Sequence, residues 1–398
     1  MVKTPMNSEK IRKDFPILQK CVYLDNAATS LTPEPVLAKT NEYYREYKAN
    51  IHRGAHRLSQ RASAEYDEVY RKLSGFLGGK PTDYFNTKNA SESINLVALG
   101  LEWPAGCNIV TTAIEHHSNI LPWMRLKQRG EISALRFVKP KDLQGHFDLE
   151  DFKKTIDAKT KLVAITGASN VLGNRMPVAE ITKLAHDAGA RVLLDAAQMV
   201  GHFPVNFAKL GVDFAAFSGH KMLAPCGTGV LFHAGGFQSP MLGGGMVQSV
   251  TLDGFELAAA PQGEEAGTPN IAGVIGMGAA IDYLQKIGLG EIEAHERKVA
   301  KLLVDGLLAC GAQVYGPTDA KEKIALTAFN IKGLEPHRVA VMADELAKVC
   351  IRSGHHCAMP LHSLLGAKGS ARASAHVYNN EADVEAFLGA IGKISALA

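Results

Sequence analysis

At 398 residues the chain is long enough to bury a large core in two or three domains, and 46% hydrophobic with 21% charged residues is ordinary for a soluble globular protein. A formal charge of +3 with no long basic run leaves no footprint for nucleic acid or an anionic membrane, so neither is expected as a partner. Six cysteines without a repeated close spacing argue against a disulfide framework and for a reducing compartment.

In chain order, Met1 to Lys10 holds no apolar signal core, and residues 9–15 read as a short leading helix. Val22 to Ala28 reads as a brief strand running into a turn of small residues, where backbone around Ala28 can approach a ligand closely. Residues 34–48 and 60–77 carry amphipathic helical patterns. Between them, Asn50 to Arg57 packs two histidines and two arginines into six residues. That is too polar for core, and fits a solvated loop or a site loop.

From about residue 83 an alternation sets in. Strand-like runs fall at 83–86, 108–112, 134–138, 161–166, 191–197, 213–218 and 229–233, with helical patterns at 91–100, 118–129, 149–156 and 178–189. Such alternation predicts a mostly parallel α/β sheet covered on both faces, with ligands beyond the carboxyl ends of its strands. The polar residues Ser91, His116, Asn170, Asp195, Gln198 and Ser218 to Lys221 fall at that rim. After the glycine turn at 243–245, residues 269–288 and 289–310 read as two long helices. The most apolar stretch, Ile271 to Ile281, is too short and Gly-rich for a membrane span. Strand-like 313–316, 324–333 and 349–352, with helices at 335–346 and 381–395, predict a smaller α+β domain. The division expected is a large domain over 17–285 and a small one over 286–398 joined by 1–16.

Within this frame the run Asp213 to Lys221 carries the chemistry. An apolar strand, Phe214 to Phe217, ends in Ser218-Gly219-His220-Lys221. Burial disfavours the charged form of a lysine, and a neutral amine is a good nucleophile toward an aldehyde. Asp195 ends a second apolar strand, Val192 to Leu194. A lysine for an aldehyde and an aspartate for a pyridinium nitrogen are what pyridoxal phosphate asks of a protein. Gln198 is placed to donate to the phenolic oxygen. Ser91, Ser218, His220 and the backbone around Asn89 to Ser93 are placed for the phosphate. The bland readings are a helix cap for Ser91 and a solvent-facing Lys221.

With these residues assembled, the chain resembles the fold-type I pyridoxal-phosphate transferases of the class V aminotransferase-like group, most closely the group II (SUF-type) cysteine desulfurases and selenocysteine lyases. Ordered motifs carry the resemblance over nearly the whole length. They are Tyr23 to Ala28, Ala49 to Gly54, Glu115 to Ile120, Ser169 to Gly173, Asp195 to Gln198, Ser218 to Lys221, Ala266 to Asn270, Arg352 to Ala358 and Arg372 to Ser374. The resemblance implies that His116 stacks on the cofactor ring and assists proton transfer, and that Thr268 reaches the phosphate of a neighbouring subunit in a homodimer. It implies substrate contact by Ala28, Asn170, Arg352 and Arg372, the arginines matching a carboxylate with their planar forks. Cys357 is implied as the residue that takes the sulfur of L-cysteine as a persulfide, releasing L-alanine, for passage to an acceptor protein of iron–sulfur cluster assembly. Nearby His355, His356 and Arg352 are placed to favour its thiolate. No metal is expected at His355-His356-Cys357, because adjacent side chains diverge. The other five cysteines read as structural.

The sequence departs from the family pattern at three places. Gly167 stands where a histidine is common, Asn89-Ala90-Ser91 replaces a Gly-Thr-Thr run, and Cys226 stands where threonine is usual. A selenocysteine lyase acting on L-selenocysteine, another class V aminotransferase or a C–S lyase would share Lys221 and Asp195 without needing Cys357. A non-catalytic sulfur-assembly scaffold would need neither. The expected location is cytoplasmic.

Overall fold

The computed structural model describes residues 6–397; the expectations for residues 1–5 and 398 lie outside the described residues. The strands in chain order are β1 (Val22–Tyr23), β2 (Tyr84–Thr87), β3 (Asn108–Thr112), β4 (Ala134–Val138), β5 (Thr160–Thr166), β6 (Arg191–Asp195), β7 (Phe214–Ser218) and β8 (Gly229–His233). They continue as β9 (Val247–Val250), β10 (Phe255–Leu257), β11 (Gln313–Tyr315), β12 (Leu326–Asn330), β13 (Val349–Cys350), β14 (Arg352–Gly354) and β15 (Ser370–Ser374).

Strands β2 to β8 form one seven-stranded sheet in the order β2-β8-β7-β6-β5-β3-β4. Only β8 runs against the rest, pairing antiparallel with both β2 and β7. The central strands are apolar on both faces because both faces are covered. Val163, Ile165, Val192 and Leu194 belong to one buried cluster. Their neighbours Leu162, Ala164 and Leu193 belong to another on the opposite face, the period of two expected of a strand. The helix Ala90–Gly100 packs on β7 and β8, and the helices Glu34–Glu46 and Arg57–Leu77 pack on Ile271–Ile287.

The later strands form a separate four-stranded antiparallel sheet, β11-β12-β15-β14, with its own apolar cluster that includes Phe329 and Phe387. The strand expected at 349–352 is divided. Val349 and Cys350 pair in parallel with Val22 and Tyr23, whereas Arg352 to Gly354 pair with β15. Among the elements the sequence reading passed over are the hairpin β9–β10 and the strand β15. The hairpin β9–β10 presents no buried face, so neither alternation nor an apolar run marks it. Strand β15 is Ser-Ala-Arg-Ala-Ser, wholly buried yet without a β-branched residue. Among the described residues, no helix is long and apolar enough to cross a membrane.

Candidate active site

All the candidate residues except Thr268 line one cavity of about 220 Å³ at the carboxyl ends of the large sheet. The sheet delivers them in turn. Strand β2 leads to Ser91, β3 to His116, β5 to Asn170, β6 ends at Asp195, and β7 ends at Ser218 before the turn Gly219–Lys221. Gly219 is required there: a Cβ would stand 2.2 Å from Thr228 Oγ1. From the second sheet β14 brings Arg352, β15 brings Arg372, and the loop after β14 brings Cys357. The turn after β1 closes the site. Its Ser30 N–H and Oγ both bond to the His220 carbonyl, at 2.8 and 3.0 Å, with Ala28 at the cavity wall.

The electrostatics follow from burial. Burial pushes the Lys221 amine down and the Asp195 carboxyl up, each opposed in part by the other's charge. A neutral lysine amine in this place is a nucleophile held ready. Burial and the neighbouring Lys221 push His116 down to about 3 and His220 down to about 4, so both rings are neutral at pH 7. The Ser118 N–H donates to His116 Nδ1 at 3.1 Å, which leaves the His116 proton on Nε2.

Several groups fit the bound cofactor that the residues imply. The Ala90 N–H donates to Ser218 Oγ at 2.9 Å, leaving the hydroxyl proton for an anion. Ser91 Oγ meets Ser118 Oγ at 2.5 Å, so the phosphate corner holds a hydroxyl pair in which Ser118 had gone unnoticed. Gln198 spends one amide proton on the Ala27 carbonyl at 2.9 Å, while its Oε1 is buried without a partner. Arg372 is wholly buried. It donates to the Asn170 carbonyl at 2.8 Å and to Asp25 Oδ1 at 3.1 Å, and its Nε has no partner. Burial lowers it to about 10 despite Asp25. The sequence reading passed over Asp25, although it lies in the quoted run Tyr23 to Ala28.

Other expectations change. Asn170 donates its Nδ2 to the His356 carbonyl at 2.7 Å, so it holds the Cys357 loop as well as lining the cavity. His356 faces Ser370 and not the thiol, and burial followed by the charge of Arg372 holds it neutral. It cannot supply the positive charge expected for a thiolate; Arg352 and Arg372 are the guanidinium groups that share the cavity wall with Cys357. Cys226 is exposed, so it is no core cysteine. The departure at Gly167 is compensated: a Cβ there would stand 1.8 Å from Met199 Sδ, so that sulfur occupies the space. Thr268 lies elsewhere, in a second cavity of about 280 Å³ shared with Asn50 to Arg53 of the polar loop. Among the described residues, the one group of three with metal-ligand atoms in reach of one another is His202, Glu296 and His376, which does not include Cys357. Their imidazoles stack at 4.6 Å, and His376 Nδ1 already accepts the Val377 N–H.

This architecture and this lysine–aspartate cavity define a fold-type I pyridoxal-phosphate enzyme. The aminotransferase class-V profile matches residues 22–387. An apo cysteine desulfurase structure from Thermococcus onnurineus NA1 superposes with a TM-score of 0.96 at 45% identity, covering 100% of both chains. The Escherichia coli cysteine desulfurase CsdA superposes at 0.91 with 33% identity over 99% of this chain and 100% of the other. A Pyrococcus abyssi protein described as a probable cysteine desulfurase is 45% identical over 97% of each chain. The chain belongs to the class-V aminotransferase family, on the branch of the cysteine desulfurases.

Proposed function

We propose that the protein is a pyridoxal-phosphate-dependent cysteine desulfurase that forms L-alanine and keeps the sulfur as a persulfide on Cys357. The observation that carries this reading is a cysteine in the same cavity as the buried Lys221–Asp195 pair and two arginines. When bound, pyridoxal phosphate supplies an aldehyde for the substrate amine and a ring that takes up the electron pair released at the α-carbon.

The chain does the rest. Asp195, the one carboxylate among the described residues lining the cavity, would hold the proton on the ring nitrogen. The Ser218 and Ser91 hydroxyls and the Ser91 N–H, in the first turn of the helix Ala90–Gly100, would hold the phosphate. Arg352 and Arg372 take the substrate carboxylate. Lys221, whose charged form burial disfavours, would remove the α-proton and later return one. The Cys357 thiolate attacks the substrate sulfur: the S–S bond forms as the substrate's Cβ–S bond breaks, and Cβ gains a proton to give the alanine methyl. No external oxidant is needed, because the carbon is reduced as the sulfur is oxidised.

The persulfide would pass to an acceptor protein, in our reading one of iron–sulfur cluster assembly. Thr268 and the polar loop 50–53 form a cavity apart from Lys221, which supports a homodimer in which they complete the partner's site. The free state of all six cysteines supports a reducing, cytoplasmic location. Product analysis tests the activity. Alanine from L-cysteine is expected; pyruvate would indicate a C–S lyase, a keto acid an aminotransferase, and turnover of L-selenocysteine alone a selenocysteine lyase.

A further inference from the structure

The Cys357 turn is held against its own backbone preference. His356 and Cys357 both lie at left-handed φ, 50° and 58°, which side-chain-bearing residues keep only when their surroundings hold them there. Three ties come from outside the loop. Asn170 Nδ2 donates to the His356 carbonyl, the His356 ring meets Ser370, and the His117 N–H donates to the Cys357 carbonyl at 2.7 Å. A short helix, Met359–Leu364, starts directly after the turn, and its N-cap residue, Ala358, has no side-chain acceptor to offer. The imidazole of His117 fills that gap: Met359 N–H donates to its Nε2 at 3.1 Å. The one residue thus grips the segment at Cys357 and just after it, through its backbone and through its ring. Burial, with the charge of His355, disfavours protonation of the ring, which keeps Nε2 free to accept.

We propose that His117 is a positioning residue for Cys357, its imidazole capping the helix that follows and so holding the strained turn at the cavity. His116 next to it lines the cavity; His117 turns instead to the nucleophile's loop. The effect on turnover rests on the proposed role of Cys357, whereas the effect on the loop does not.

The test compares the holoenzyme with His117→Ala and His117→Gln, in which the glutamine Oε1 can still accept the Met359 N–H. Three quantities are read: the iodoacetamide alkylation rate of Cys357 by peptide mass, kcat and KM for L-cysteine, and the visible cofactor spectrum. Loss of one hydrogen bond should open the turn about five- to tenfold more often, raising alkylation by that factor and lowering kcat similarly. KM should stay within about twofold and the spectrum should not change, because the bond is made to the loop and not to substrate or cofactor. His117→Gln should restore wild-type behaviour. Alkylation of His117→Ala at the wild-type rate, or a glutamine variant as impaired as the alanine one, overturns the inference. Faster alkylation with unchanged turnover would uphold the positioning of Cys357 and refute its part in catalysis. If His117→Ala loses the cofactor, His117→Asn, whose shorter side chain falls short of Met359, takes its place in the comparison.

Discussion

Four histidines, His116, His117, His355 and His356, stand close to Cys357 in sequence or space, and for His116 and His356 burial more than proximity decides what the ring can do. His116 and His356 are both kept neutral, one facing the cavity and one turned to Ser370, so the His-His-Cys run does not act as a unit. That was beyond the sequence, where His355 and His356 are equivalent neighbours of a thiol. Lys221 and Asp195 were legible because an apolar run ending in a charged residue marks a strand edge with a task. Asp25 was not, because its role exists only through Arg372, 347 positions away. The guanidinium of Arg372 spans Asn170 and Asp25 with separate nitrogens, which a lysine cannot do. Arg372→Lys should therefore raise KM for L-cysteine by about 10- to 100-fold, the cost of about 1.5–3 kcal/mol for a charged hydrogen-bonded group, with the cofactor spectrum retained. Steady-state kinetics check this; an unchanged KM would remove Arg372 from substrate binding.

The elements divide by how locally their sequence speaks. The strands of the large sheet are legible because each is an apolar run between turn residues, and their order of polar ends anticipated the rim of the cavity. The hairpin β9–β10 carried only an Asp253-Gly254 turn signal, and both of its strands are largely exposed. β15 is recognisable only by its neighbours β12 and β14, since small residues fit a crowded central strand that they do not themselves specify. At 349–352 an apolar run continues across a change of sheet, and nothing in its composition marks the break. Gly167, just beyond the end of β5, shows the same dependence on a distant partner. Gly167→Ala should cost about 1–3 kcal/mol by crowding Met199, and Met199→Ala should recover part of that loss in the double variant. Urea unfolding of the four proteins checks it; additive losses would mean that the two residues do not compete for space.

At the scale of the whole molecule, the seam between the two sheets contains an unusual group. Lys323 is buried, pairs with no carboxylate among the described residues, and donates to the Pro317 carbonyl at 3.0 Å beside the segment that pairs with Gly173 to Arg175. Burial lowers it to about 7 from an ordinary 10.5. The unfolded chain therefore binds this proton more tightly than the folded one. Its contribution to stability rises between pH 7 and 10.5, by up to about 1.4 kcal/mol per pH unit, and is flat and unfavourable below. Lys323→Met should remove that slope in urea unfolding between pH 7 and 9.5; a variant with the wild-type slope would show that Lys323 is not its source. The same seam brings Cys357 from one sheet to Lys221 from the other, and the proposed sulfur transfer depends on their meeting in one cavity. It is tested most directly by mass analysis of the holoenzyme after one addition of L-cysteine, beside Cys357→Ala. One added sulfur is expected on the peptide containing Cys357, with alanine formed in step, and neither product in the variant, whose cofactor spectrum is unchanged. Alanine released by Cys357→Ala at the wild-type rate, or sulfur found on another cysteine first, would contradict it.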